Sequence, residues 1–328
     1  MKITSAPEEE IALVATKRKR SDFSNNMRKL GAGGLAGIAA KAVVAPVERL
    51  KIIYQVTNEK FSLRKMGNSF QVVIEKEGIT GLWRGYSATM LKVFPYAGIQ
   101  FSTFDGMKKY LLSQKDGDCT SKELTNLEAL ICGSTAGVMS IVFTYPLDLL
   151  RTMLAVEREK RQYSPHASLI RTFRAFMAEE GIKGLYRGVT PTILGILPYG
   201  GIAFMVNEHF KNKMERAYEV PPVHLKLLSG GLAGLLAQSV SYPFEVIRRR
   251  MQTDGVILRD AGLGGVLDGK LPEQAEARMT MLQTAQKLVD EQGIRGLFKG
   301  LSINWIRAPI AISISFTAFD GFKKILDV

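Results

Sequence analysis

The chain has 328 residues, 46% of them hydrophobic, and its 44 Lys and Arg against 31 Asp and Glu give a formal charge of +13 at pH 7. Two cysteines, Cys119 and Cys132, exclude a disulfide framework and a cysteine zinc site. His166, His209 and His224 lack metal-ligand spacing, so no metal or cofactor is expected. The positive balance points to a polyanionic partner: nucleic acid, an anionic membrane surface or a phosphorylated small molecule.

Residues 1–26 are polar, lack the apolar core of a secretory signal and carry the run Lys17-Arg18-Lys19-Arg20, so a solvated tail is predicted there. Residues 30–55 then read as a helix rich in small residues, interrupted by Lys41. Within it stands Pro46-Val47-Glu48-Arg49-Leu50-Lys51, where the proline ring removes a backbone donor and kinks the helix. The same string of proline, acid two residues on and base five residues on returns at Pro146, Asp148 and Arg151, and again at Pro243, Glu245 and Arg248. Each copy is preceded by glycines four apart, Gly33 with Gly37, Gly133 with Gly137, and Gly230 with Gly234; such faces let helix backbones approach closely in lipid.

A charged connection follows each proline helix and contains a short amphipathic piece, at about 67–76, 168–178 and 279–289. It leads to a second repeated string, Glu77-Gly78-Ile79-Thr80-Gly81-Leu82-Trp83-Arg84-Gly85, matched by residues 180–188 and, with Gln292 in place of the acid, by 292–300. Another helix starts at Tyr86, Val189 and Leu301, and ends in a charged triplet holding Asp105 and Lys108, Glu208 and Lys211, or Asp320 and Lys323. The unit is therefore helix, short surface helix, helix, about 100 residues long, present three times. We divide the chain into a tail at 1–26 and copies at 27–118, 119–219 and 220–328, the last with a glycine-rich linker inserted at about 253–271.

The uncharged runs 129–147, 188–207 and 227–244 are long enough to cross, or nearly cross, a hydrocarbon core of about 30 Å. An all-α membrane protein with six spanning helices is predicted, both termini on one side and the long connections on the other. Lys41, Lys92 and Arg307 interrupt the first two and the last of the long helices, and charges at such depths belong against a watery cavity or a partner.

Three copies of the proline string, each followed by the acid-Gly-x4-aromatic-base-Gly string, closely resemble the mitochondrial carrier family over residues 30–326. The resemblance implies a threefold pseudo-symmetric six-helix bundle around a central cavity, in the mitochondrial inner membrane. It also implies termini toward the intermembrane space, three short helices on the matrix side, a monomer, and cardiolipin as a candidate lipid partner. The family pattern pairs Glu48 with Arg151, Asp148 with Arg248 and Glu245 with Lys51 in a matrix gate, braced by Gln55 and Gln252, with Ala155 leaving the second copy unbraced. Asp105 with Lys211, Glu208 with Lys323 and Asp320 with Lys108 would form the cytoplasmic gate, weakened because Phe104, Asn207 and Phe319 stand where the family has a bracing tyrosine.

Counting back 13 residues from Asp105, Glu208 and Asp320 gives Lys92, Gly195 and Arg307, the family's substrate contact points. Gly195-Ile196 is similar to the pair found in carriers of adenine nucleotides. Glycine would leave a slot for a flat ring while Lys92, Arg307 and Lys41 hold phosphates, although Gly195 is equally readable as a helix-packing glycine. Residues 44–55, Ser87 to Met90, and Lys299 to Trp305 resemble carriers of coenzyme A most, which implies exchange of coenzyme A for ADP or adenosine 3',5'-bisphosphate by alternating access. An ATP-Mg/phosphate type or another adenine nucleotide carrier is the alternative. The ADP/ATP exchanger is disfavoured, because Arg248-Arg249-Arg250 is not followed by the family's methionine run. A peroxisomal location also stays open.

Three further classes are weighed against transport. An enzyme is not expected, because the acids are matched by cations at fixed spacing and no nucleophile-base or paired-carboxylate constellation exists. A non-transporting receptor on the same scaffold would have no need of complete gate pairs. Nucleic-acid binding would gather the basic residues on one face, and here they are spread through a repeated pattern.

Overall fold

The computed structural model describes residues 33–59, 62–115, 124–156, 169–217, 222–254 and 279–325. The predicted tail at 1–26, residues 255–271 of the predicted linker, Cys119 and His166 lie outside the described residues. All regular elements among the described residues are helical. They are α1 (residues 33–56), α2 (Leu63–Glu77), α3 (Tyr86–Lys115), α4 (Asn126–Val156), α5 (Leu169–Leu185), α6 (Val189–Ala217), α7 (Val223–Gln252), α8 (Met281–Gln292) and α9 (Leu301–Ile325), with short 3₁₀ turns at Ile79–Trp83 and Ile294–Phe298.

The prolines do not end their helices: α4 continues through Pro146 for 31 residues and α7 through Pro243 for 30. The short helices fall on the three amphipathic stretches of the sequence. α8 starts at a capping box, in which Gln283 N donates to Thr280 Oγ1 and Thr280 N donates to the Gln283 side chain. Each short helix is turned into the next long one by the second repeated string. Its first and last glycines, Gly78 with Gly85, Gly181 with Gly188 and Gly293 with Gly300, all adopt positive φ between 66° and 85°, a region side chains disfavour. That backbone requirement explains why glycine recurs at both ends of the string.

The segments Leu127–Val156 and Glu180–Met214 are long and apolar enough to cross a membrane, yet only 28% and 11% of their apolar windows are buried inside the protein. A core helix of a soluble protein would be mostly buried. Here Phe143, Leu197 and Met205 are instead more than half exposed, as lipid-facing or cavity-facing side chains would be.

The described residues fall into two compact units, one from 33–44 and 307–325, the other from within 45–306. In the larger unit α3 packs along α4, α6 packs along α7, and α4 also touches α6 and α7. The paired glycines differ from expectation. A side chain added at Gly133, Gly137, Gly230 or Gly234 would meet nothing within 4 Å, so none of the four marks a close helix crossing. Gly133 and Gly137 instead border the internal cavity, where the missing side chains leave space.

Candidate functional site

The proline strings of the three copies meet in a ring. Lys51 Nζ lies 2.6 Å from Glu245 Oε1, Arg248 Nη2 lies 2.9 Å from Asp148 Oδ2, and Arg151 pairs with Glu48. Each acid therefore pairs with the base of another copy, and together the pairs tie α1, α4 and α7 to one another. The Arg248 contact is an ion pair without the alignment of a hydrogen bond. Charges so sheltered are tolerated only with partners, because desolvation of a lone ion outweighs what the fold could return.

A second layer supports the ring. Gln55 Nε2 donates to Tyr242 OH at 3.0 Å, and that hydroxyl donates to Lys299 O at 2.9 Å. Gln252 Nε2 donates to Tyr145 OH at 3.1 Å, and Tyr145 OH donates to Arg187 O at 2.6 Å. The same tyrosines lie beneath ring cations: Lys51 Nζ stands 5.2 Å from the Tyr242 ring centroid, and the Arg248 guanidinium 5.4 Å from that of Tyr145. Asn304, fully buried, adds a bridge: Lys51 Nζ donates to its Oδ1 at 2.6 Å, and its Nδ2 lies 3.4 Å from Glu245 Oε2.

Cations of the second repeated string, and Arg49 of the first, close the far end of the same helices. Arg187 Nη1 donates to Asp254 O at 2.7 Å and Lys299 Nζ donates to Thr57 O at 2.7 Å, while Arg49 Nε donates to Ala155 O at 3.0 Å. Each proline helix thus has its terminal carbonyls satisfied by a cation of another copy. The last glycine of the string is seated against the ring itself. A side chain added at Gly85 would lie 2.8 Å from Arg151 O, and one at Gly188 3.1 Å from Arg248 O.

Beside the ring is a cavity of about 520 Å³ bordered by α3, α4, α6 and α7. Gly195 and Ile196 line it, and so do Glu245 and Arg248, so an occupant of the cavity touches two members of the ring. Both readings of Gly195 meet at this point: it faces the cavity, and an added Cβ would lie 3.2 Å from Phe244 Cβ. Lys92 is bound more tightly than a waiting anion ligand, with Nζ 2.5 Å from Asp148 Oδ2 and 5.0 Å from the Tyr96 ring centroid.

Lys41 and Arg307 belong to the smaller compact unit, and Lys92, Gly195 and Ile196 to the larger. At the opposite ends of the long helices, Asp105 is exposed and Glu208 half-buried, and neither makes an ion pair among the described residues, so the expected Asp105–Lys211 contact is not made in this structure. Asp320 and Lys323 are exposed on α9.

Sequence reasoning missed Tyr145, Tyr242 and Asn304. A signal for the tyrosines existed, since Tyr145-Pro146 and Tyr242-Pro243 repeat, but Ala45-Pro46 breaks the pattern in the first copy.

The family model described as mitochondrial carrier protein matches the chain three times, over residues 22–115, 122–218 and 219–327. The mitochondrial coenzyme A transporter SLC25A42 of Xenopus tropicalis is 42% identical over 92% of this chain and 86% of its own length. The human protein of that name is 38% identical over 97% of this chain and 93% of its own. Mitochondrial substrate carrier family protein P of Dictyostelium discoideum is 40% identical over 90% of this chain and 93% of its own.

Proposed function

Because this chain belongs to the mitochondrial carrier family, we propose that it imports coenzyme A across the mitochondrial inner membrane in exchange for matrix adenine nucleotides. Family membership makes it a carrier and not an enzyme. The observation that carries the reading is that Glu245 and Arg248 belong at once to the cavity wall and to the ring of ion pairs. A ligand with several phosphates in that cavity perturbs the ring directly, which is how a load would be coupled to the opening of a gate.

In this reading the ring is the matrix gate in its closed state, and the charged ends with Asp105 and Glu208 are the cytoplasmic gate in its open state. Six long helices span the bilayer as a threefold bundle, with both termini toward the intermembrane space and α2, α5 and α8 on the matrix side. Coenzyme A enters from the cytosol and places its adenine against Gly195 and Ile196. Its phosphates face Lys92 and Arg248; Lys41 and Arg307 remain candidate substrate contacts by their position in the repeat. Opening separates the three pairs into water, where each ion regains hydration as it loses its partner, so neither state is deeply trapped. Exchange suits such a load, since each unit of charge moved against 100 mV costs about 2.3 kcal/mol and a returning anion offsets most of it.

The relatives named as coenzyme A transporters support the choice of substrate. The test is reconstitution of the purified protein in liposomes loaded with ADP. Uptake of labelled coenzyme A that depends on the internal nucleotide is expected. Uptake of ATP or phosphate without uptake of coenzyme A would overturn the assignment.

A further inference from the structure

The cavity changes character along its length. Glu245 and Arg248, both members of the ring, carry the only charges among the described residues that border it. Away from the ring the wall is neutral and rich in small residues. Along α4 it reaches from Ala129 to Ile141, about 18 Å at 1.5 Å per residue. Gly137 is buried, yet a side chain added there or at Gly133 would meet nothing within 4 Å, so both open onto sheltered space. On α6 a Cβ added at Gly200 would lie 3.5 Å from Leu130 Cδ1 and 3.8 Å from Ser134 Oγ. Glycine at that position therefore keeps the gap between α4 and α6 from closing.

The same wall offers hydrogen-bonding groups that the protein itself does not use. Gln100 on α3, Ser134 on α4 and Gln238 on α7 border the cavity, and their side chains make no hydrogen bond among the described residues. Ser241 Oγ, which also borders it, is shielded from solvent and has no partner either. Polar groups so placed cost free energy unless an occupant meets them. Neutral amides and hydroxyls both donate and accept, which matches an occupant made of neutral amides and hydroxyls. A phosphate would call for cations, and this stretch has none among its described residues.

We propose that this neutral stretch of the cavity, walled by Gly133, Ser134 and Gly137 of α4, Gly200 of α6 and Gln100 of α3, holds the pantetheine arm of the substrate. The proposal rests on the reading of the cavity as a coenzyme A site, with adenine against Gly195 and Ile196 and phosphates toward Lys92 and Arg248. The arm is the uncharged part of coenzyme A, and it carries amides, a hydroxyl and an apolar dimethyl carbon. Its chain of about a dozen bonds is as long as four extended residues, about 14 Å, which the stretch along α4 can hold. From the phosphates the arm runs away from the ring, its amides against Gln100 and Ser134 and its dimethyl carbon against Leu130 and the glycines of α4. ADP and adenosine 3',5'-bisphosphate share the nucleotide end and lack the arm. These residues therefore separate coenzyme A from plain nucleotides, while the ring end serves both.

Filling the stretch tests this. Gly137→Val adds its methyl groups where the protein has open space, so the fold should tolerate it. Affinities for coenzyme A and for ADP are read from the rise in thermal midpoint of the purified carrier over a range of each ligand. Binding is the readout because it does not require the helices to move, so a variant that merely jams the transport cycle does not imitate the effect. Coenzyme A affinity should fall at least about tenfold, as for a misfitted methyl group in a shaped pocket, and ADP affinity should not change. Gln100→Leu, which removes no hydrogen bond from the fold, should weaken coenzyme A about fivefold, the worth of one hydrogen bond, and again spare ADP; it decides the matter if Gly137→Val does not fold. Equal weakening of both ligands, or unchanged coenzyme A affinity in a folded Gly137→Val, overturns the proposal. A wild-type carrier that binds ADP and not coenzyme A would overturn the substrate reading itself, an outcome seen before any variant is compared.

Discussion

Lys92 Nζ lies 2.5 Å from Asp148 Oδ2, the carboxylate oxygen that Arg248 Nη2 reaches at 2.9 Å. A cation expected to wait for substrate is thus held by the ring. Asp148 is fully engaged only while Lys92 is not serving a ligand, so a phosphate that draws Lys92 away leaves Asp148 with Arg248 alone. Lys92→Ala should reduce uptake at least about tenfold, equivalent to about 1.4 kcal/mol. It should also lower the stability of the free carrier by about 1.5–3 kcal/mol, the worth of a charged hydrogen bond. Lys92→Arg should restore most of both. Uptake in proteoliposomes and thermal unfolding in detergent measure the two effects separately; a variant with normal uptake and lowered stability would confine Lys92 to the lock.

Arg151 and Glu48 pair across copies with side chains only 20% and 15% exposed. Arg151→Glu places two acids opposite each other, and the closed ring should lose about 2–4 kcal/mol. Exchanging the charges, as Glu48→Arg with Arg151→Glu, should recover part of the loss, since the double variant again sets opposite charges against each other. Thermal midpoints of the two singles and the double provide the comparison. A double variant no better than the worse single would mean that the pairing does not depend on these two charges alone.

The residues of the ring were legible because they repeat: a string met three times gives its own alignment, while which acid meets which base came from the resemblance to the family. The short helices and the starts of α3, α6 and α9 were legible for the same reason. What could not be read is what occurs once or twice. Asn304 answers to Thr89 and Thr192, so no string preserves it, and the Lys92–Asp148 contact joins different copies where α3 packs along α4. The paired glycines misled for a physical reason, since spacing shows which face carries them but not whether a helix or a cavity stands opposite.

Gly195 tests the two meanings of a glycine separately. An added methyl would come within 3.2 Å of Phe244 Cβ, so the side chain of Phe244 must shift by a few tenths of an ångström. Gly195→Ala should lower stability by about 1 kcal/mol or less, within the range of mild overpacking. If the cavity wall there receives a flat ring, the same variant should weaken coenzyme A binding more than it weakens the fold. The measurement is the rise in thermal midpoint on adding coenzyme A, in wild type and variant. A rise of equal size in both would leave Gly195 with a packing role only.

Lys299 brings pH into the stability of the ring. Burial and the neighbouring Arg250 guanidinium push its ammonium down to about 7, against the weaker opposing pull of Glu59. Its Nζ donates to Thr57 O at 2.7 Å, and Arg250 reaches Asn58 Oδ1 and Glu291 beside it, so cations from copy three cap the end of α1. Below pH 7 both folded and unfolded chains hold the Lys299 proton. Between pH 7 and the model-peptide value of about 10.4 only the unfolded chain holds it, so folding releases a proton and stability should rise with pH through that window, by at most about 1.4 kcal/mol per unit. The thermal midpoint of the purified carrier should climb from pH 7 to 9. Lys299→Arg keeps the donor to Thr57 O, as Arg187 does toward Asp254 O, but stays charged throughout and should flatten the slope. An unchanged slope in that variant would assign the pH dependence to other groups, and the copy-three cap would then be insensitive to pH like its counterpart in copy two.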